Sequence, residues 1–260
     1  MAIEVFNRYE QKYMINTKKM MMLQNDLSDY MELDAYNRKN ETYSITNIYY
    51  DTNDSQLIRN SLAKPKYKEK LRLRAYGNPQ LDSKVYMEIK KKYRGQVNKR
   101  RSSIKLNDAY RYLETGIMPD FKPYMNRQVL SEIEYLLEQY KLYPMLYLSY
   151  DRRAYFSNDQ YDMRISFDTN ILTRRTDLRL ESGIYGEPLL PDEKWIMEIK
   201  VSRSMPVWLA HLLAEYKIYP LSYSKYGTEY MNSLANQVNQ EYDNYEFNTA
   251  KINRGILVPA

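Results

Sequence analysis

The chain has 260 residues, with 39 lysines and arginines against 33 aspartates and glutamates (net +6), 7 glycines, 29 tyrosines, one histidine and no cysteine. Without cysteine, and with His211 alone, it can build no disulfide frame, thiolate metal centre, cysteine nucleophile or multi-histidine zinc site. Glycine, at about 3%, is less than half the usual share of roughly 7%, and the glycines stand singly at 77, 95, 116, 183, 186, 227 and 255; no phosphate-cradling glycine loop can be written with them, so any bound phosphate must be held by side chains.

Helical and strand patterns alternate along the chain. Around residues 9–15, Arg8, Glu10 and Lys12 share one face of a strand. Thr17 is then read as the cap of a helix with Met20, Leu23, Leu27 and Tyr30 at helical spacing, and Asp54 as the start of a shorter helix through Leu57, Ile58 and Leu62, stopped before Pro65. Strand alternation follows in 70–75, where Lys70, Arg72 and Arg74 oppose Leu71 and Leu73. After the turn Gly77-Asn-Pro79 it continues in 85–92, where Glu88, Lys90 and Lys92 oppose Val85, Met87 and Ile89. The basic run from Lys90 to Arg101 reads as a hairpin. A wide apolar stripe over 127–142 (Val129, Leu130, Ile133, Leu136, Leu137, Tyr140) predicts a helix closed by Pro144. Strands are expected at 147–156, with Arg152 in phase with Tyr150 and Ala154; at 163–168, with Arg164, Ser166 and Asp168 on one face; and at 195–202, with Glu198, Lys200 and Ser202 opposite Trp195, Met197, Ile199 and Val201. Two last helices are expected after Ser204, with Pro206 in the first turn, and after Ser224, making five in all. The similar pieces Tyr140-Lys-Leu-Tyr-Pro144 and Tyr216-Lys-Ile-Tyr-Pro220 hint at a repeated helix-to-strand corner.

One globular unit over 1–242 with a tail over 243–260 is expected from this pattern and from 43% hydrophobic content. Charges at Glu4, Arg8, Glu10 and Lys12 interrupt any signal-peptide core, and no apolar run reaches membrane-spanning length, so the chain reads as cytoplasmic.

The charged strand faces admit two readings. They are either the wet side of an ordinary antiparallel sheet, or the lining of a barrel of about eight strands whose helices cover the apolar outer faces. The second is favoured by composition: the faces repeat Arg and Lys with isolated glutamates, and like charges on neighbouring strands destabilise a sheet unless something anionic offsets them. A cationic lumen with few carboxylates suits a polyphosphate chain and a divalent metal, because Arg forks onto phosphate oxygens and Mg²⁺ or Mn²⁺ needs only one or two carboxylates when phosphate completes its shell.

Nine motifs in order carry a family resemblance: Arg8-Tyr-Glu10-Gln-Lys12-Tyr, Ile48-Tyr-Tyr-Asp51-Thr, Leu71-Arg72-Leu-Arg74-Ala-Tyr-Gly77, Met87-Glu88-Ile-Lys90, Asn98-Lys99-Arg100-Arg101, Tyr150-Asp-Arg152, Met163-Arg164-Ile-Ser-Phe-Asp168, Met197-Glu198-Ile-Lys200 and Ser224-Lys225-Tyr226. Together they resemble the VTC domain, the catalytic domain of the vacuolar transporter chaperone polyphosphate polymerase, within the triphosphate tunnel metalloenzyme (CYTH) superfamily. The resemblance spans residues 8 to about 230. It implies an α+β fold: a closed antiparallel eight-stranded tunnel, helices packed outside, and a C-terminal helix at the tunnel end. It also implies binding of ATP with Mn²⁺ or Mg²⁺ and transfer of the γ-phosphoryl group to inorganic polyphosphate.

Carried over position by position, Lys12, Arg72, Arg74, Lys90, Arg152, Arg164 and Lys200 are implied as catalytic phosphate-holding residues. Lys99, Arg101, Ser224 and Lys225 join them in binding, Glu198 is the metal ligand, and Glu10 and Glu88 are weaker metal candidates for which a structural salt bridge to a neighbouring Lys or Arg is the favoured role. Tunnel triphosphatases begin Glu-x-Glu-x-Lys, whereas Arg8 stands in place of the first carboxylate here, which favours transfer over hydrolysis. A triphosphatase acting on inorganic or nucleoside triphosphates and a non-catalytic polyphosphate-binding subunit are the competing functions. Nucleic acid is not expected as a partner, since the cations alternate inward rather than forming an exposed stripe. With no membrane segment, any coupling to translocation would need a separate membrane protein.

Overall fold

The structure is a computed structural model describing residues 9–37, 42–94, 96–157, 163–202 and 204–239. Arg8 and the expected tail over 243–260 lie outside the described residues.

The alternation seen in the sequence is realised as one antiparallel sheet. Its main path runs β1 (Tyr9–Asn16), β10 (Lys194–Val201), β8 (Arg164–Arg174), β7 (Tyr143–Ser157), β3 (Tyr43–Asp51), β4 (Tyr67–Tyr76), β5 (Lys84–Tyr93) and β6 (Gln96–Lys105). Short strands β2 (Met31–Leu33) and β9 (Glu187–Pro188) pair with β7 and β8. Two expectations are corrected here. The sheet has ten strands rather than eight, and it is not closed into a barrel: among the described residues β6 and β1 end the path with no ladder between them. The backbone reason is visible on β1, where Leu221 N–H donates to the Lys12 carbonyl at 2.8 Å and occupies the edge a closing strand would need. The sheet nevertheless curls far enough for Glu10 on β1 to approach Lys90 on β5, with 3.6 Å between their charged atoms.

Apolar residues on the convex face form two helix-covered cores. Leu71, Leu73, Val85, Met87, Ile89 and Ile104 pack beneath α3 (Leu106–Thr115) and α4 (Arg127–Gln139). Tyr13, Ile15, Ile165, Phe167, Met197 and Ile199 pack beneath α1 (Thr17–Leu27) and α5 (Val207–Glu215). Each large side chain buried in this way contributes about 1.5–3 kcal/mol, so the apolar faces turn outward toward helices and the charged faces turn into the curl.

The expected helices are present, with changes at their starts. Asn16, not Thr17, caps α1, accepting from Lys19 N–H at 2.9 Å. The helix expected from Asp54 is α2 (Gln56–Leu62), and its free amides are held by the buried Asp51, whose carboxylate accepts from Leu57 and Ile58 N–H at 2.8 and 2.9 Å. Helix α3 was not expected; it ends at Gly116, whose φ of 73° is the left-handed cap that glycine adopts most easily. The two Tyr-Lys-x-Tyr-Pro corners also diverge: Tyr143 opens the long strand β7, while Leu221 makes a single bridge before helix α6 over 225–239. No helix among the described residues is long and apolar enough to cross a membrane.

Candidate functional site

Inside the curl lies a cavity of about 1170 Å³. All fourteen residues singled out in the sequence line it: Glu10, Lys12, Arg72, Arg74, Glu88, Lys90, Lys99, Arg101, Arg152, Arg164, Glu198, Lys200, Ser224 and Lys225. They come from seven different strands and the start of α6, brought together because alternate residues on each strand share the concave face. The registers stack them: Lys12 pairs with Glu198, Glu10 with Lys200 and Lys200 with Arg164 on one side, and Arg72 with Glu88, Lys70 with Lys90 and Lys90 with Lys99 on the other. Lys70 and Arg127 also line the cavity, giving twelve cations against three carboxylates among the described residues. Lys70 was legible from its phase with Arg72 and Arg74; Arg127, at the start of a helix, carries no strand alternation to reveal it.

The carboxylates are already engaged. Glu88, 1% exposed, accepts from Arg72 Nε and Nη2 at 2.8 and 2.6 Å and lies 2.7 Å from Lys99 Nζ. Burial opposes its ionisation, but Arg74, Arg72 and Lys99 outweigh this and hold it well below the usual carboxylate range. Salt bridging rather than metal binding is therefore its geometry in the free protein. Glu198 is ion-paired with Lys200, and Glu10 lies 3.2 Å from Lys12. Burial again opposes ionisation of Glu198, and Lys200, Lys12, Arg152 and Lys90 together reverse it.

Two further acids shape the site from behind. Asp168, fully buried, accepts from Arg152 Nε and Nη2 at 2.7 and 2.9 Å and from Lys225 Nζ at 2.6 Å, tying β7, β8 and α6 into one ion-paired unit. Although burial opposes it, Arg152 and Lys225 bring its pKa down to about 2. Asp51, besides capping α2, accepts from Tyr226 OH at 3.0 Å and so fixes the first turn of α6. Ser224 caps that helix, its hydroxyl accepting from Gly227 N–H at 3.2 Å and from Lys70 Nζ at 3.3 Å, so the helix N-terminus lies at the cavity wall.

The cations are oriented rather than loose. Arg74 donates to Asn47 Oδ1 at 2.9 Å and Tyr150 OH at 3.0 Å, and Arg72 Nη1 donates to Tyr49 OH at 2.9 Å. Burial lowers Lys70 to about 8, with Lys90, Lys68 and Lys12 adding repulsion that Tyr49 partly offsets. Tyr49 itself falls to about 8: burial resists, and Arg72, Arg74 and Lys70 overcome it. Among the described residues Arg164 Nε is buried without a hydrogen-bond partner. His211 is exposed on α5 and takes no part.

Among the described residues there is no cluster of three or more acidic or histidine side chains. Glu198 and Glu10, on adjacent strands, suit a hard cation only if phosphate oxygens complete its shell. The donor set thus fits a divalent ion that arrives with, or shares, a phosphate ligand.

A concave antiparallel sheet lined with inward cations, backed by helices and nearly free of uncommitted carboxylates, defines a tunnel-type protein for a polyanionic ligand. The sequence profile of the VTC domain matches residues 7–234, and the chain belongs to the VTC domain family. Solved structures of other proteins share the fold. A candidate adenylate cyclase from Bacillus halodurans superposes with a TM-score of 0.52 at 14% identity, covering 85% of this chain and 96% of that one. A candidate adenylyl cyclase from Hippeastrum, described as having a dominant triphosphatase activity, superposes with a TM-score of 0.50 at 17% identity, covering 84% and 92%. No curated protein sequence matches the chain.

Proposed function

We propose that the protein is an ATP-dependent polyphosphate polymerase, with Mn²⁺ or Mg²⁺ as its metal. The observation that carries this reading is the charge of the cavity wall: among the described residues twelve cations face three carboxylates, and each of these carboxylates is already ion-paired. Such a wall grips a phosphate chain along its length and has little uncommitted carboxylate with which to orient an attacking water. Arg8, in place of a triphosphatase carboxylate, points the same way.

Phosphoryl transfer asks of a protein chiefly in-line positioning and charge stabilisation, which fits a site with no nucleophilic side chain. A terminal oxygen of the polyphosphate attacks the γ-phosphorus of ATP, the bond from that phosphorus to the β-bridging oxygen breaks, and ADP leaves with the electron pair. In this scheme Arg72, Arg74, Arg152 and Arg164 hold non-bridging oxygens through the guanidinium N–H groups not engaged by Glu88, Asn47, Tyr150 and Asp168, and Lys12, Lys90, Lys99, Lys200 and Lys225 supply mobile charge. Arg101 and Ser224 complete the binding set. Glu198, with Glu10 beside it, would hold the divalent ion, whose chemistry is to neutralise charge on the transferring group. ATP and inorganic polyphosphate are the partners; a membrane protein is needed only if synthesis is coupled to export.

Purified protein incubated with ATP and Mn²⁺ is expected to yield a ladder of chains on a gel together with ADP. ADP and free phosphate without chains would replace this reading by hydrolysis, and retained polyphosphate binding with neither product by a non-catalytic binding role.

A further inference from the structure

The two ends of the cavity differ in chemistry. Toward one end, the inward residues of β4 and β5 are Lys70 paired with Lys90, then Lys68 with Lys92. Toward the other, the charge on these two strands stops: beyond Arg74 on β4 comes Tyr76, and beyond Glu88 on β5 comes Tyr86, both lining the cavity. Successive inward positions on a strand lie about 6.6 Å apart, so Tyr76 stands one step past the last arginine of its strand, roughly the length of a ribose.

The rings at this mouth form an assembled aromatic surface. Tyr36 lies parallel to Tyr76, with centroids 5.9 Å apart and planes 4° apart, Tyr43 tilts against both, and Tyr86 meets Tyr76 edge-on at 6.0 Å. Arg101 covers Tyr86 at 4.5 Å, linking the aromatic surface to the cationic wall. Tyr43 is pinned from behind by its hydroxyl, within 3.3 Å of Arg164 Nη2 and 3.4 Å of Asp34. Tyr36 and Tyr76 remain 68% and 43% exposed. Two ordered, parallel rings left partly in water at the end of a phosphate-sized cationic path present aromatic faces that a planar heterocycle attached to a triphosphate would extend.

We propose that this mouth is the nucleobase seat of the phosphoryl donor: the triphosphate lies among Arg72, Arg74 and their neighbours, and the base stacks on Tyr36 and Tyr76. The inference rests on the tunnel holding a triphosphate donor, as proposed above. It gives the tunnel a direction, with the nucleoside at the aromatic mouth and the phosphate chain running toward the lysine-lined end. Stacking reads the π-face of a base and not its edge, so purine triphosphates other than ATP bind as well.

The test measures calorimetric binding of two probes to the full chain: adenosine 5′-(β,γ-imido)triphosphate and inorganic tripolyphosphate. In the variant with Tyr36→Ala and Tyr76→Ala, affinity for the imido analogue is expected to fall roughly tenfold or more, the loss of a base–aromatic stack, while that for tripolyphosphate stays within about twofold. The variant with Tyr36→Phe and Tyr76→Phe keeps the rings and is expected to bind both probes as the parent does. An unchanged affinity for the imido analogue in the alanine variant overturns the seat, as does a parallel loss for both probes. A parent protein that does not bind tripolyphosphate overturns the tunnel reading itself.

Discussion

Replacing Asp168 by Asn tests whether the buried cations of the site are poised for an anion. The carboxylate is fully buried and holds Arg152 through two hydrogen bonds of 2.7 and 2.9 Å and Lys225 through one of 2.6 Å. Removing its charge leaves two cations facing each other in a poorly solvated wall, and breaking a buried ion pair from one side costs about 3–5 kcal/mol. For a domain of this size roughly 2–4 °C of melting temperature accompanies each kcal/mol, so Asp168→Asn is expected to lower Tm by about 6–20 °C without ligand. Tripolyphosphate supplies the missing negative charge, so the ligand-induced rise in Tm is expected to be larger in the variant than in the parent. Differential scanning calorimetry with and without tripolyphosphate reads both effects. An unchanged Tm, or a ligand shift no larger than that of the parent, would refute the argument. The sign with pH follows from the lowered pKa: the Asp168 contribution is complete above its unfolded value near 3.9 and is lost as pH falls through about 2.

Arg72→Lys keeps a charge opposite Glu88 but loses the planar fork, so tripolyphosphate affinity by calorimetry should fall roughly tenfold; unchanged affinity would remove Arg72 from the phosphate grip. Glu198→Gln should abolish metal-dependent turnover while metal-free tripolyphosphate binding is kept or tightened, because a repelling carboxylate is gone; full turnover in this variant would exclude it as the metal ligand. Burial holds Lys70 near 8 in the free protein, and a bound polyanion raises it. Binding should therefore take up protons around pH 8, and the Lys70 contribution to affinity, complete below that pH, should decline as pH rises through it. Calorimetry in buffers of different ionisation enthalpy measures the uptake, and proton release would contradict the assignment.

Much of this site was legible because strand alternation is a local property. Once Leu71 and Leu73 point outward, Arg72 and Arg74 must point inward, and the same parity places Glu88 and Lys90, Arg164 and Ser166, and Glu198 and Lys200. What the pattern does not contain is curvature. Whether β6 meets β1 depends on twist summed over the whole sheet and on what occupies the edge of β1, where Leu221 pairs with Lys12. Contacts that bridge distant elements were hidden for the same reason: Asp168 with Lys225, 57 residues apart, and Tyr226 with Asp51, 175 apart, carry no spacing signal. Helix α3 escaped because its stripe of Leu106, Ala109, Tyr112 and Leu113 is short and follows directly on a basic strand. Gly116 was the available clue, a lone glycine where a helix needed a left-handed stop.

If the wall transfers phosphate to phosphate and not to water, each γ-phosphate lost from ATP ends in a chain. Phosphorus NMR of protein, ATP, Mg²⁺ and a short polyphosphate primer follows this directly. The γ-phosphate resonance of ATP is expected to decline while internal polyphosphate resonances grow, one phosphate gained by the chains for each ADP formed. Orthophosphate accumulating in step with ADP, with the chain resonances unchanged, would contradict it.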